Sequence, residues 1–307
     1  MVLDTTPHGR KQRADESLLG LSVGDAFGQQ IFGIGVREWC LENKQPPPPP
    51  WEYTDDTEMA IAICDVLERC GFVDQDALAQ EFAKRYDLNP WRGYGEGAIN
   101  LLKDIFEGGD WRSLSQGLFG GVGSLGNGGA MRAPPLGAWF AEDDDAVVEQ
   151  ARRSAQVTHA HPEGIDGAIA VAVAAAWICR RRVGLEEGDG TSMLDCVCLK
   201  LPPGKLRDGV ERAFQTPLSA WEYEVAEALG CGDRITAADT VPFCLWMAAA
   251  HQENWRDAVW KTMLVGGDID TNCAIVGGLV ACRVGKEGIP DVWVRSSERP
   301  KRRLPVD

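Results

Sequence analysis

Long apolar runs rich in alanine and leucine, interrupted by glycine and proline, dominate this chain, and strand signals between them are scarce. A chain built this way is restricted to helices packed on helices, with function carried on the loops. The pattern predicts helices over 13–27, 57–70, 75–86, 95–107, 145–155, 163–182, 206–214, 219–229, 239–251, 255–265 and 271–283. The longest apolar run, Ala168 to Cys179, has 12 residues, too short to cross a bilayer. Pro46 to Pro50 must be extended and reads as a stiff surface loop. The polar, Gly/Pro-punctuated stretch from Gly184 to Lys205 reads as an exposed connection. The tryptophans fall mostly at helical spacing with other apolar residues and read as core.

With 307 residues, 44% of them hydrophobic, the chain can bury a sizeable core. The expected division is one domain over 1–294 and a solvated basic tail over 295–307, where Arg295, Arg299, Lys301, Arg302 and Arg303 gather. The net charge of -15 gives no electrostatic reason to hold nucleic acid or an anionic membrane. An anionic ligand would need a local arginine or a metal. Ten cysteines lie scattered, mostly inside apolar runs and without a CxxC pair. They read as reduced core residues, which points to the cytoplasm. The N-terminal Met1 to Pro7 is polar and has no signal-peptide pattern.

Two short segments stand apart chemically. Thr54-Asp55-Asp56-Thr57 runs into the apolar stretch from Met59, and Gly266-Gly267-Asp268-Ile269-Asp270-Thr271 runs into a second one. Taken singly, each reads as a helix cap, and Asp55 with Glu58 fits a capping box. The pairing points further. Adjacent Asp55 and Asp56 repel, and only one of them can cap. Gly266-Gly267 lets the backbone turn tightly and a ligand approach closely. If the two helix starts meet, Thr54, Asp55, Asp56, Asp268, Asp270 and Thr271 form an oxygen-rich cage. Ionised carboxylates and hydroxyls suit Mg²⁺, Mn²⁺ or Ca²⁺. Four carboxylates exceed what one Mg²⁺ takes from protein, so two bridged ions are the economical reading.

Five segments in order resemble the ADP-ribosylglycohydrolases, the family of the dinitrogenase-reductase-activating glycohydrolase and the eukaryotic ADP-ribosylhydrolases. They are Leu18 to Gly28, Tyr53 to Met59, Gly126-Asn127-Gly128-Gly129-Ala130-Met131-Arg132, Thr158-His159, and Gly267 to Thr271. The resemblance implies an all-α orthogonal helical bundle with a binuclear Mg²⁺ or Mn²⁺ site. It implies hydrolysis of the glycosidic bond between ADP-ribose and a modified side chain. The partner would be an ADP-ribosylated protein or a small ADP-ribosyl conjugate. By position, Thr54, Asp55, Asp56, Asp268, Asp270 and Thr271 would be the metal ligands. Asp55 or Asp56 would help deprotonate the attacking water.

The Gly126–Arg132 turn can aim backbone N–H groups at an anion, and its arginine adds charge. The resemblance makes Gly126, Asn127, Gly128, Gly129, Met131 and Arg132 contacts of the diphosphate and ribose, and His159 a contact in the cleft. His161 reads as structural. Asp25 is expected to hydrogen-bond a neighbouring loop, and Glu96 to be a solvated helix-start acid. One departure stands out. Many members carry a glutamate a few residues past the first segment, where this chain has Phe32 and no acid before Glu38. Two rivals follow: a reader that binds ADP-ribose without turning it over, and a binuclear hydrolase acting on another nucleotide or phosphoester.

Overall fold

The computed structural model describes residues 2–302. Among them the helices are, in chain order, α1 (Pro7–Gln30), α2 (Val36–Asn43), α3 (Asp55–Cys70), α4 (Gln75–Leu88), α5 (Glu96–Phe106), α6 (Trp111–Gly121), α7 (Pro134–Trp139), α8 (Asp144–Gln156), α9 (Pro162–Arg182), α10 (Gly190–Lys200), α11 (Lys205–Gln215), α12 (Glu222–Leu229), α13 (Ala237–His251), α14 (Trp255–Val265), α15 (Ile269–Val284) and α16 (Asp291–Ser296). Extended pairing among the described residues is limited to two isolated bridges, Trp51 with Ser297 and Gly126 with Thr236. The fold is therefore all-α, as the apolar runs predict. Many starts carry the expected side-chain caps: Thr6, Thr54, Asp74, Asp110, Asp143, Asp189, Thr236 and Asn254 each accept from a first-turn amide.

Helix α9 is buried on nearly every side from Gly164 to Cys179. It could pass for a membrane span by length and composition, but 83% of its most apolar window lies inside the protein. An alanine-rich helix that is apolar all round belongs at the centre of a bundle, where neighbours can approach closely. Each isoleucine or valine buried there is worth about 1.5–3 kcal/mol.

The crossing of α1 and α15 positions the site. Gly20, Gly24 and Gly28 recur every fourth residue and so line one face of α1. A Cβ on Gly24 would lie 2.2 Å from the Cys273 carbonyl oxygen, and one on Gly28 would lie 2.6 Å from Asp270 Cα. The two backbones are thus in direct contact, which no side chain at these positions would permit. Glycine in a helix interior costs about 1 kcal/mol relative to alanine. The close contact of two helix backbones offsets that cost.

Helices α2, α6, α7, α10 and α16 escape the apolar pattern of the sequence. The stretch expected as an exposed connection over 184–205 contains α10, which buries Met193, Leu194, Val197 and Cys198. Those four share one face, but the surrounding Gly, Pro and Asp mask them. Pro46 to Pro50 carries no helix, as expected, and the Pro47 carbonyl accepts from Trp51 Nε1 at 3.0 Å. Phe27, Trp51, Trp255 and Trp293 form an aromatic core cluster, while Trp91 and Trp221 are exposed.

The expected solvated tail is corrected at Arg302. Glu298 pairs with Arg92, and Arg302 pairs with Asp15, Asp65 and Glu68. An acidic surface gives Arg302 its partners, whereas Arg295, Arg299 and Lys301 are exposed. Arg303 lies outside the described residues.

Candidate active site

Thr54 caps α3 through its hydroxyl, which accepts from Asp56 N at 3.3 Å. A second cap comes from α1. Asp25, fully buried, accepts from Thr54 N at 3.0 Å, Thr57 N at 3.1 Å, Thr54 Oγ1 at 2.8 Å and Thr57 Oγ1 at 2.5 Å. The expected capping box is therefore absent. Glu58 instead accepts from Tyr53 Oη and pairs with Arg85. With both cap duties met by Thr54 and Asp25, Asp55 and Asp56 are released for other work. Asp25 fills its expected loop-bonding role.

The two helix starts meet. Thr271 Oγ1 donates toward Asp56 at 3.2 Å, and Thr54 Oγ1 reaches the same carboxylate at 2.9 Å. Asp56 is 1% exposed, whereas Asp55, Asp268 and Asp270 are half-buried. Gly266 and Gly267 both take positive φ, 101° and 74°. A Cβ on Gly267 would lie 2.0 Å from the Cys231 carbonyl oxygen, so glycine alone fits this turn. The same carbonyl accepts from Asp268 N and Asn272 Nδ2, which fixes the start of α15. Asp268 accepts from Asn127 Nδ2 at 2.6 Å, so the Gly126–Gly129 turn joins the cluster. Thr240 supports Asn127 from α13.

Burial and mutual repulsion define the electrostatics. Burial pushes Asp25 up to about 6 and, together with the charge of Asp25, pushes Asp55 up to about 7. Asp56 is held well above the carboxylate range by burial and by Asp25 and Asp270; Asp270 likewise by burial and by Asp268. The residues present are hard oxygen donors short of positive charge, which is what Mg²⁺ or Mn²⁺ would supply. Among the described residues no three His, Cys, Asp or Glu side chains are already closed around a metal-sized point.

A stability prediction follows from these shifts. Between the ordinary carboxylate value and the raised ones, the folded protein binds more protons than the unfolded chain. Its stability therefore falls as pH rises through that window. Melting temperature of protein in EDTA is expected to drop from about pH 5 to about pH 8, and added Mg²⁺ to restore it. A flat or rising trend in EDTA would mean that these carboxylates do not repel.

Arg132 corrects the sequence reading. Expected at the ligand's diphosphate, it is 0% exposed. Its guanidinium stacks 4.5 Å from the centre of the Phe82 ring and donates to the Ser154 carbonyl and Thr158 Oγ1. Burial lowers its pKa to about 9, and the charge of Asp55 opposes that shift. It serves as a cation behind the cluster, out of reach of a ligand in the cleft. His159, 8% exposed, packs its ring edge over Gly126 and Gly128, and Met131 lies buried beneath. His161 caps α9 by accepting from Glu163 N, a structural role as expected. Glu96 is an exposed first-turn acid. Phe32 is 54% exposed on the loop after α1.

Sequence reasoning passed over two residues. Thr57 shares Asp25 with Thr54, and its signal was the second threonine of the motif. Tyr94 is buried beside Asp55, and its hydroxyl has no hydrogen-bond partner among the described residues. Burial, then the charge of Asp55, raises its pKa. A tyrosine between two glycines was its only signal.

Comparison with known proteins agrees with this architecture. Residues 6–305 match the sequence pattern of the ADP-ribosylglycohydrolase family. The chain is 31% identical to ADP-ribosylhydrolase ARH3 of Danio rerio, over 92% of this chain and 85% of that protein. It is 30% identical to ADP-ribosylhydrolase ARH3 of Homo sapiens, over 80% and 74%. To ADP-ribosylarginine hydrolase Tri1 of Pseudomonas putida it is 25% identical, over 94% and 75%. A solved ADP-ribosylglycohydrolase-related protein complex superposes with a TM-score of 0.67 at 25% identity, covering 94% of this chain and 93% of that one. The chain belongs to the ADP-ribosylglycohydrolase family.

Proposed function

We propose that this protein is a metal-dependent hydrolase that cleaves the glycosidic bond between ADP-ribose and a modified side chain or small conjugate. The observation that carries the reading is the meeting of Asp56 with Thr271 across 3.2 Å, which joins two acidic helix starts into one cluster. Thr54, Asp55, Asp56, Asp268, Asp270 and Thr271 would hold two Mg²⁺ or Mn²⁺ ions. When bound, such ions supply positive charge beside ribose hydroxyls and acidify nearby water.

The chain's own residues divide the remaining work. Asp56 is buried between the Thr54 and Thr271 hydroxyls, and Thr271 Oγ1 donates to it, so it keeps its place and orients. Asp55 is the more accessible acid of the pair and takes the proton of the attacking water. The proton taken by Asp55 passes to the leaving side-chain oxygen or nitrogen as the bond breaks through an oxocarbenium-like state at the distal ribose, which nearby carboxylates stabilise. Asn127 ties the Gly126–Gly129 turn to Asp268 and so sets ligand position against the cluster.

The test is incubation with arginine- and serine-linked ADP-ribosyl substrates in Mg²⁺, Mn²⁺ or EDTA, reading free ADP-ribose. Release in a divalent cation and none in EDTA is expected; no release from any substrate would overturn the hydrolase. A second reading, binding without turnover, is favoured by Phe32 in place of the family's glutamate. Calorimetry showing cation-dependent ADP-ribose binding, with no product formed, would select it.

A further inference from the structure

Arg132, Thr158 and His159 form a hydrogen-bonded chain. Arg132 Nη2 lies 2.8 Å from Thr158 Oγ1, and Thr158 Oγ1 lies 2.7 Å from His159 Nδ1. A guanidinium can only donate, so the threonine oxygen accepts at the first link. The second link has two possible directions. If His159 Nδ1 carried a proton, the threonine oxygen would accept twice. Its own hydroxyl proton would then have no acceptor among the described residues, in a side chain only 3% exposed. Leaving a buried donor unmade costs about 1–3 kcal/mol. With Nδ1 bare, the Thr158 hydroxyl both accepts and donates; the donors left over are Arg132 Nε, without a partner among the described residues, and His159 Nε2–H, which faces the glycine turn.

In a neutral imidazole the proton then sits on Nε2. Burial, and then the charge of Arg132, lowers the His159 pKa to about 3 and keeps the ring neutral. The Nε2 edge faces the glycine turn. A Cβ at Gly128 would lie 3.2 Å from Nε2, and one at Gly126 would lie 3.5 Å away. Neither glycine has one, so that edge is left open toward the turn.

We infer that Arg132 and Thr158 are positioning residues that hold His159 in its Nε2–H form, so that it presents a neutral hydrogen-bond donor to an oxygen of the ligand seated at the Gly126–Gly128 turn. The identity of that ligand as ADP-ribose rests on the proposed function; the tautomer does not. The arrangement also explains why a buried arginine belongs in the Gly-rich segment. Its cation is read at the cleft through two hydrogen bonds instead of by direct contact.

The test uses the full chain with ¹⁵N-labelled histidine at neutral pH and no ligand. Long-range ¹H–¹⁵N correlation distinguishes the tautomers, and His159→Gln assigns the resonance. A bare Nδ1 with protonated Nε2 is expected in the parent and in Thr158→Ser. In Thr158→Val the pattern should shift toward mixed tautomers. Calorimetry with ADP-ribose in Mg²⁺ should then show affinity about tenfold weaker for the valine variant, and close to the parent for the serine variant. A protonated Nδ1 in the parent overturns the inference, as does a valine variant with unchanged tautomer and affinity. Should the valine variant fail to fold, the spectra of the parent and the serine variant decide. A parent with bare Nδ1 that binds no ADP-ribose would sink the proposed function and leave the relay standing.

Discussion

Replacing Asp270 with alanine is expected to abolish divalent-cation binding and to lower ADP-ribose release on the order of a thousandfold, the worth of several kcal/mol of charge stabilisation. The fold should survive. Asp270 is half-buried, and its carboxylate accepts from the neighbouring Thr271 N at 2.9 Å. It caps nothing beyond its own turn. In EDTA the variant should melt above the parent, because the burial and the repulsion by Asp268 that hold its pKa high vanish with the carboxylate. Mg²⁺ titration, a release assay and melting in EDTA check all three. Parental release by the variant would remove Asp270 from the proposed site, and a lower melting temperature in EDTA would refute the repulsion.

Gly24→Val should destabilise the protein by about 3 kcal/mol or more, beyond ordinary overpacking. Its new Cβ would fall 2.2 Å from the Cys273 carbonyl oxygen, a backbone atom that no rotamer change can move. Either α1 and α15 separate or the variant fails to fold. Gly117→Ala is the control: nothing lies within 4 Å of a Cβ there. Its effect should stay within about 1 kcal/mol of zero. Denaturant unfolding of the two variants settles the matter. Equal stability would show that the helix crossing is looser than its geometry.

The helices that carry the site were legible because the apolar period marks both, with a cap at Thr54 before one and a tight glycine turn at Gly266-Gly267 before the other. The acidic cluster was legible because four aspartates at two helix starts have no packing use. What stayed hidden depends on pairing across the chain. Asp25 caps a helix that starts thirty residues later in the sequence (Asp55), and no local pattern announces such a cap. Arg132 sits in a segment that reads as anion-binding, and only the packing of Phe82, Ser154 and Thr158 around it reveals a buried cation. The basic end was misread for a related reason. Its composition says solvated, but its partners are Asp15, Asp65 and Glu68, scattered over α1 and α3.

That docking ties chemistry to a distant end of the chain. Arg302 grips α3 at Asp65 and Glu68, while the carbonyls of Lys301 and Arg302 accept from Arg85, which itself holds Glu58 and Asp65. The helix so held begins with Asp55 and Asp56, about 15 Å up its axis at 1.5 Å per residue. Proteolytic trimming that removes Arg302 would leave every residue of the cluster in the chain yet unclasp the helix on which half of it is mounted. The placement of the acidic start of α3 thus depends jointly on α1, α3 and the segment that carries Arg302.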